Sequence, residues 1–167
     1  MGRYYDGNIS GKFWVGAQSS FSMNKFGATD KDRYEYACCG CHFDKGDTDY
    51  CQSCYESKEE HLEAVHEDEP DVDICFIEVP ESDFEITKKD FEEKGLPFLQ
   101  ENEELWKNKV GSFVIQDDGY DCCLVGGWKI DATREEESII ADMNMLKQIQ
   151  KYFEKSGTDV CSWYGEH

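Results

Sequence analysis

Two Cys-x-x-Cys pairs, Cys38 to Cys41 and Cys51 to Cys54, stand nine residues apart and run into a helix-like segment that carries His61 and His66. Four thiolates at this spacing can close a tetrahedral shell around one metal ion, and zinc accepts such a shell with no redox change. A segment of about 30 residues buries too little apolar surface to fold alone, so a structural Zn2+ would supply its folding free energy directly. Cys38 is the expected first ligand because Cys39-x-Cys41 makes a poorer knuckle than Cys38-x-x-Cys41. Cys39, His61 and His66 are the alternates. The four cysteines fill a tetrahedral shell, so the histidines, His42 included, read first as solvated side chains. A filled shell leaves no coordination position for water, which argues against zinc hydrolase chemistry.

The segment after the second pair, YESKEEHLEAV, places Tyr55, Leu62 and Val65 on one helical face. A first knuckle, a hairpin connection and a second knuckle at a helix start together predict a treble-clef-like finger. The connecting loop DKGDTD lacks the glycine and terminal glutamate placement of a twelve-residue calcium loop and reads as a solvated connection.

The rest of the chain is long enough for one domain. Its 167 residues are 39% hydrophobic and 14% aromatic, which suffices for a core. The expected division is a single α+β domain of residues 1–37 plus 68–167, with residues 38–67 as a zinc-binding insertion. A β-prone aromatic run at 13–17 predicts a strand. Residues 34–37 and 74–79 predict strands on either side of the insertion. Thr87 and Gly95 predict a short capped helix, and Pro97 opens a second through about residue 107, with Phe91, Phe98, Leu105 and Trp106 as core anchors.

A hairpin is expected at 112–128 around Asp118-Gly119. A long amphipathic helix follows at 133–156, with a Thr133/Glu136 capping box and Gly157 as its stop. Ile139, Met143, Leu146, Ile149 and Phe153 form its apolar stripe. A last strand is expected at 160–164. The fold class is therefore α+β: a small, mainly antiparallel sheet packed by a long C-terminal helix, with the inserted finger. Cys75, Cys122, Cys123 and Cys161 fall in predicted strands and read as small apolar residues rather than a second cluster.

Charge narrows the partners. Thirty-seven acids against seventeen bases give a formal net charge of −20, a potential that repels phosphate backbones and anionic lipid. A protein partner with a basic surface is expected, and neither nucleic acid nor membrane. No stretch reaches the roughly 20 apolar residues of a membrane span, and the start MGRYYDG is not built like an export signal. An odd count of nine cysteines, with adjacent pairs, fits a reducing compartment, so the expected location is intracellular and cytoplasmic. No phosphate-binding loop, nucleophile elbow, zinc-protease helix or dinucleotide fingerprint occurs, and no catalytic residue is assigned.

The opening RYYDGNISGKFWVGAQSS carries Tyr4, Tyr5, Asp6, Gly7, Ile9, Gly11, Lys12, Phe13, Gln18, Ser19 and Ser20, followed by Phe26-Gly27. It resembles the opening of a family of small acidic proteins of bacteria and large DNA viruses to which no function is assigned. The last helix, Gly157 and the Cys161-Ser162 strand are also similar to that family's ending, while the cysteine-rich segment departs from its pattern. The resemblance implies a small α+β unit that begins with an aromatic strand and closes with helix plus strand. It also admits a viral setting, in an infected cell or a virion.

Three functions follow as expectations. The leading one is a non-enzymatic, zinc-stabilised interaction or structural module, possible as a component of a larger assembly. The alternatives are an enzyme whose pocket is invisible in sequence and, less favoured, a nucleic-acid-binding finger. Asp44, Asp47 and Asp49 against Lys45 give the finger the wrong charge for the last.

Overall fold

The computed structural model describes residues 3–14, 16–36, 39–43, 50–68, 76–110 and 131–167. It divides into two compact units, a larger one of residues 1–31 and 82–167 and a smaller one of residues 32–81. The fold is α+β with a small antiparallel sheet and a long C-terminal helix. Strands β1 (Tyr4–Gly7), β2 (Gly11–Lys12), β3 (Thr29–Tyr36), β4 (His42–Phe43), β5 (Phe76–Thr87) and β6 (Val160–Glu166) pair in the order β2-β1-β6-β5-β3-β4. β3 and β5 contribute residues to both units.

In the larger unit β1 is flanked on both sides by antiparallel partners, Tyr5 facing Gly11 on β2 and Gly165 on β6. Both partners are glycines for a steric reason. The Tyr5 ring lies on Gly11, where a Cβ would come within 2.5 Å of its hydroxyl, and the Phe13 ring lies 3.0 Å from where a Cβ of Gly165 would be. Among the described residues of the expected strand at 13–17, none is in a strand. Phe13 and Trp14 are buried in the connection after β2, followed by a turn at 16–17, so the aromatic run contributes core volume rather than sheet pairing. The core gathers Phe13, Met23, Phe84, Ile86, Met143, Leu146, Ile149 and Trp163, with the Phe84 and Trp163 rings stacked 5.6 Å apart.

Four consecutive helical segments follow β5 with no break at Gly95: α2 (Lys88–Asp90), a π-helical turn (Phe91–Gly95), α3 (Leu96–Glu101) and α4 (Glu103–Lys109). Thr87 caps the run as expected, its hydroxyl accepting from the Asp90 N–H at 3.1 Å. Gly95 does not stop it. Its backbone is right-handed helical, and its missing side chain lets Phe91 and Leu146 close to within 2.8 and 3.0 Å of where a Cβ would stand. Phe91 is buried, and Phe98, Leu105 and Trp106 are partly buried against the core.

The last helix, α5 (Arg134–Ser156), begins at a complete Thr133/Glu136 capping box and ends at left-handed Gly157. Its apolar stripe is buried at Met143, Leu146, Ile149 and Phe153 and partly buried at Ile139. All seven residues from Ile140 to Leu146 are buried, which a one-sided stripe does not predict. Gln18, one of the opening-segment residues, lies beside this stretch, its Nε2 3.4 Å from both Ala141 O and Asp142 Oδ1. The expected hairpin at 112–128, with Cys122 and Cys123, lies outside the described residues, as does Cys75. Cys161 is fully buried in β6, where loss of solvent pushes its thiol up to about 12, as expected of a small apolar residue.

Candidate metal centre

The smaller unit contains α1 (Lys58–Asp68), the outer parts of β3 and β5, and β4. β3 delivers the chain to a tight turn in which Tyr36 O accepts from Cys39 N at 3.3 Å and Gly40 N at 2.7 Å. Tyr36 N donates back to Cys41 O at 3.0 Å, and β4 then pairs with β3, Tyr34 facing Phe43. Gly40 takes φ 68, a left-handed conformation that turns the chain between Cys39 and Cys41 at no steric cost to glycine. The second turn is closed by Cys54 N and Tyr55 N, which donate to Cys51 O at 3.3 and 3.1 Å. Ser57 then starts α1: its hydroxyl accepts from Glu60 N at 3.2 Å, while the Glu60 carboxylate accepts from Glu56 N at 2.7 Å.

These two turns bring the sulfurs of Cys39, Cys41, Cys51 and Cys54 within 4.8 Å of one another. Cys41 Sγ and Cys54 Sγ are 3.4 Å apart, too far for a disulfide, and all four cysteines are free. A tetrahedral ion with metal–sulfur bonds of about 2.3 Å needs sulfurs about 3.8 Å apart, so the cluster can hold a metal ion with small side-chain adjustments. Three of the expected ligands, Cys41, Cys51 and Cys54, are in it, and Cys39 is the fourth cysteine of the cluster among the described residues. Cys38 lies outside the described residues.

The sulfurs share protons unequally. Burial pushes the Cys51 thiol up, but N–H groups of Ser53 and Cys54 and the thiols of Cys41 and Cys39 outweigh it, holding Cys51 below its ordinary value. Cys41 is pushed far up, chiefly by its bond with the Cys54 sulfur and then by those with Cys39 and Cys51. Cys54 is also raised: its bond with Cys41 lowers it, and Cys51, burial and Cys39 together outweigh that bond. Four neighbouring sulfurs cannot all ionise unaided, whereas a divalent cation at their centre would take the place of the shared protons.

His61 is not a member of the cysteine cluster. It is fully buried, its Nδ1 accepting the Cys51 N–H at 3.2 Å, and it is stacked on Tyr55 at 4.4 Å and met edge-on by Tyr36 at 5.2 Å. That bond requires the tautomer with hydrogen on Nε2. His66 is exposed near the end of α1 and is likewise outside the cluster. The inward role of His61 had one signal in the sequence: it precedes buried Val65 by one helical turn, on the face that packs inward.

No protein-family model, curated protein or solved structure matches this chain. No helix among the described residues is long and apolar enough to cross a membrane.

Proposed function

We propose that Cys39, Cys41, Cys51 and Cys54 hold a structural zinc ion and that the chain acts as a non-enzymatic interaction or assembly module built around that finger. The observation that carries the reading is the convergence of four free sulfurs within 4.8 Å, a donor set that suits zinc and leaves no coordination position for a reacting water. The order of hairpin turn, second cysteine turn and helix supports a treble-clef-like finger. Glu56, Glu59, Glu60, Glu63 and Glu67 are exposed around α1, and with the net charge of −20 they favour a partner with a basic surface. The resemblance of the opening segment makes a bacterial or large-DNA-virus assembly the natural setting.

Metal analysis of protein purified without added metal should find about one zinc per chain. The double variant C51S/C54S should lose it, and stoichiometric zinc in that variant would sink the proposal. C39S should release zinc more readily than C38S; the opposite order would move the fourth ligand to Cys38. A mobility-shift titration should give no retention of duplex DNA or RNA at physiological salt, and salt-sensitive submicromolar retention would favour a nucleic-acid-binding finger instead.

A further inference from the structure

The four sulfurs of the cluster differ in their access to solvent. Cys54 is exposed, Cys39 and Cys41 are half-buried, and Cys51 is buried at 2% exposure. Cys54 Sγ stands 3.4 Å from Cys41 Sγ, and the two residues belong to different turns, thirteen positions apart. A disulfide of about 2.05 Å needs these sulfurs to close by about 1.4 Å, within reach of rotation about the two Cα–Cβ bonds. Cys51, the partner of Cys54 in its own Cys-x-x-Cys pair, is held differently. The N–H groups of Ser53 and Cys54 point at its sulfur, and its own N–H donates to His61 Nδ1 at 3.2 Å. These bonds keep Cys51 inside the unit, away from an incoming oxidant. An accessible sulfur with a second sulfur beside it is the arrangement a thiol redox sensor needs, because the second traps the oxidised first before it oxidises further.

Given the structural zinc ion proposed above, we propose that a peroxide oxidises Cys41 and Cys54 to a disulfide and expels the ion, which makes the finger a reversible redox switch. The Cys54 thiolate attacks one peroxide oxygen: an S–O bond forms, the O–O bond breaks and hydroxide leaves. The Cys41 thiolate then attacks the Cys54 sulfur, an S–S bond forms, and the S–O bond breaks with loss of a second hydroxide. Two thiolates give up two electrons to the peroxide, and the two hydroxides take protons from solvent to become water. Cys39 and Cys51 alone leave the ion two ligands short of its tetrahedral shell, so it departs and those two thiolates take protons in its place. The disulfide joins the two turns. It closes only a short loop, however, and constrains the chain less than the ion did, because zinc binding supplies the folding free energy of so small a unit. α1 and the cysteine turns therefore loosen on oxidation, and a reductant with fresh zinc restores them.

The full chain, purified reduced and analysed for zinc, should be treated with about one equivalent of hydrogen peroxide. Released zinc is read with a chromogenic chelator, and the state of each cysteine by differential alkylation and fragment mass spectrometry. The expected result is release of most of the zinc, about one ion per peroxide consumed, with Cys41 and Cys54 joined. Cys39, Cys51 and the fully buried Cys161 should still be found as thiols. Hydrogen exchange should quicken in α1 and stay slow in α5, and a phosphine reductant with added zinc should reverse the change. Zinc retained under peroxide, a disulfide through Cys51 or any other cysteine, or a sulfinic acid at Cys54 in place of a disulfide would overturn the switch and leave the zinc reading standing. Absence of zinc from the reduced chain would instead overturn the zinc reading and the release together, and the alkylation pattern would still decide the Cys41–Cys54 pairing.

Discussion

His61 and Asp142 are buried polar side chains, and each is tied to its neighbours by bonds whose removal has a calculable sign. His61→Phe would keep a ring between Tyr55 and Tyr36 but take the acceptor from Cys51 N–H. Leaving that donor buried costs about 1–3 kcal/mol. The expected outcome is faster amide exchange at Cys51 and a lower unfolding midpoint for the smaller unit, and unchanged protection would count against the role of the bond. Asp142 is 1% exposed on α5, contacted by the Lys25 ammonium and by Gln18. Burial pushes its carboxyl up, more than Lys25 and Gln18 pull it down.

The sign follows from linkage. Its folded-state pKa lies above the unfolded value, so the native state holds the proton more tightly and this group's contribution to stability falls as pH rises from the ordinary carboxylate range through the raised value. Asp142→Asn removes that cost, while the half-exposed Lys25 ammonium returns to water. The variant should equal or exceed the parent at neutral pH by up to about 2 kcal/mol, with the advantage vanishing in acid. Urea titrations at several pH values decide it; a variant weaker than the parent at neutral pH, where the cost should be greatest, would mean that the ion pair outweighs desolvation.

Among the elements, α5 was the most legible in sequence because its boundaries rest on local chemistry, a reciprocal cap at Thr133/Glu136 and a left-handed glycine at 157. The α2–α4 run continues through Gly95, against the expectation from sequence, for the complementary reason. Glycine usually ends a helix by its backbone freedom, but here the space it leaves is filled by Phe91, one turn back, and by Leu146, which is distant in sequence. Gly95→Ala gains about 1 kcal/mol in helix propensity and loses about 1–3 kcal/mol to overpacking. The atoms in the way are a buried ring and a core leucine, which have little room to move, so a net loss of about 1 kcal/mol is expected in thermal or urea unfolding. A stabilised variant would mean that the core yields there.

At the scale of the whole molecule, removal of the proposed metal should affect the two units differently. The larger unit has its own core of apolar side chains from β1, β5, β6 and α5, whereas the smaller unit buries Tyr36, Cys51, His61 and Val65 around the sulfur cluster. Chelation should therefore abolish hydrogen-exchange protection in α1 and the two cysteine turns while α5 and β6 keep theirs. Loss of protection throughout the chain would show that the larger core depends on the metal. Acid should release the proposed metal in the same pattern, since protons would compete for the thiolates.

What the sequence alone determined about this protein is what depends on neighbours along the chain: the helix with its caps, the cysteine pairs and their capacity for one metal, and the acidity of the surface. Spacing singled out Cys41, Cys51 and Cys54, which lie in the sulfur cluster, because a two-residue gap almost dictates a turn. Only the tertiary structure decided what depends on contacts between distant segments. It brought the Cys39 sulfur beside those of Cys41, Cys51 and Cys54, turned His61 inward beneath Cys51, set Gln18 against Asp142, and placed Phe13 and Trp14 in the core. The physical reason is that propensity and capping are local energies of about 1 kcal/mol, which burial of a large side chain, worth about 2–3 kcal/mol, overrides wherever the two disagree.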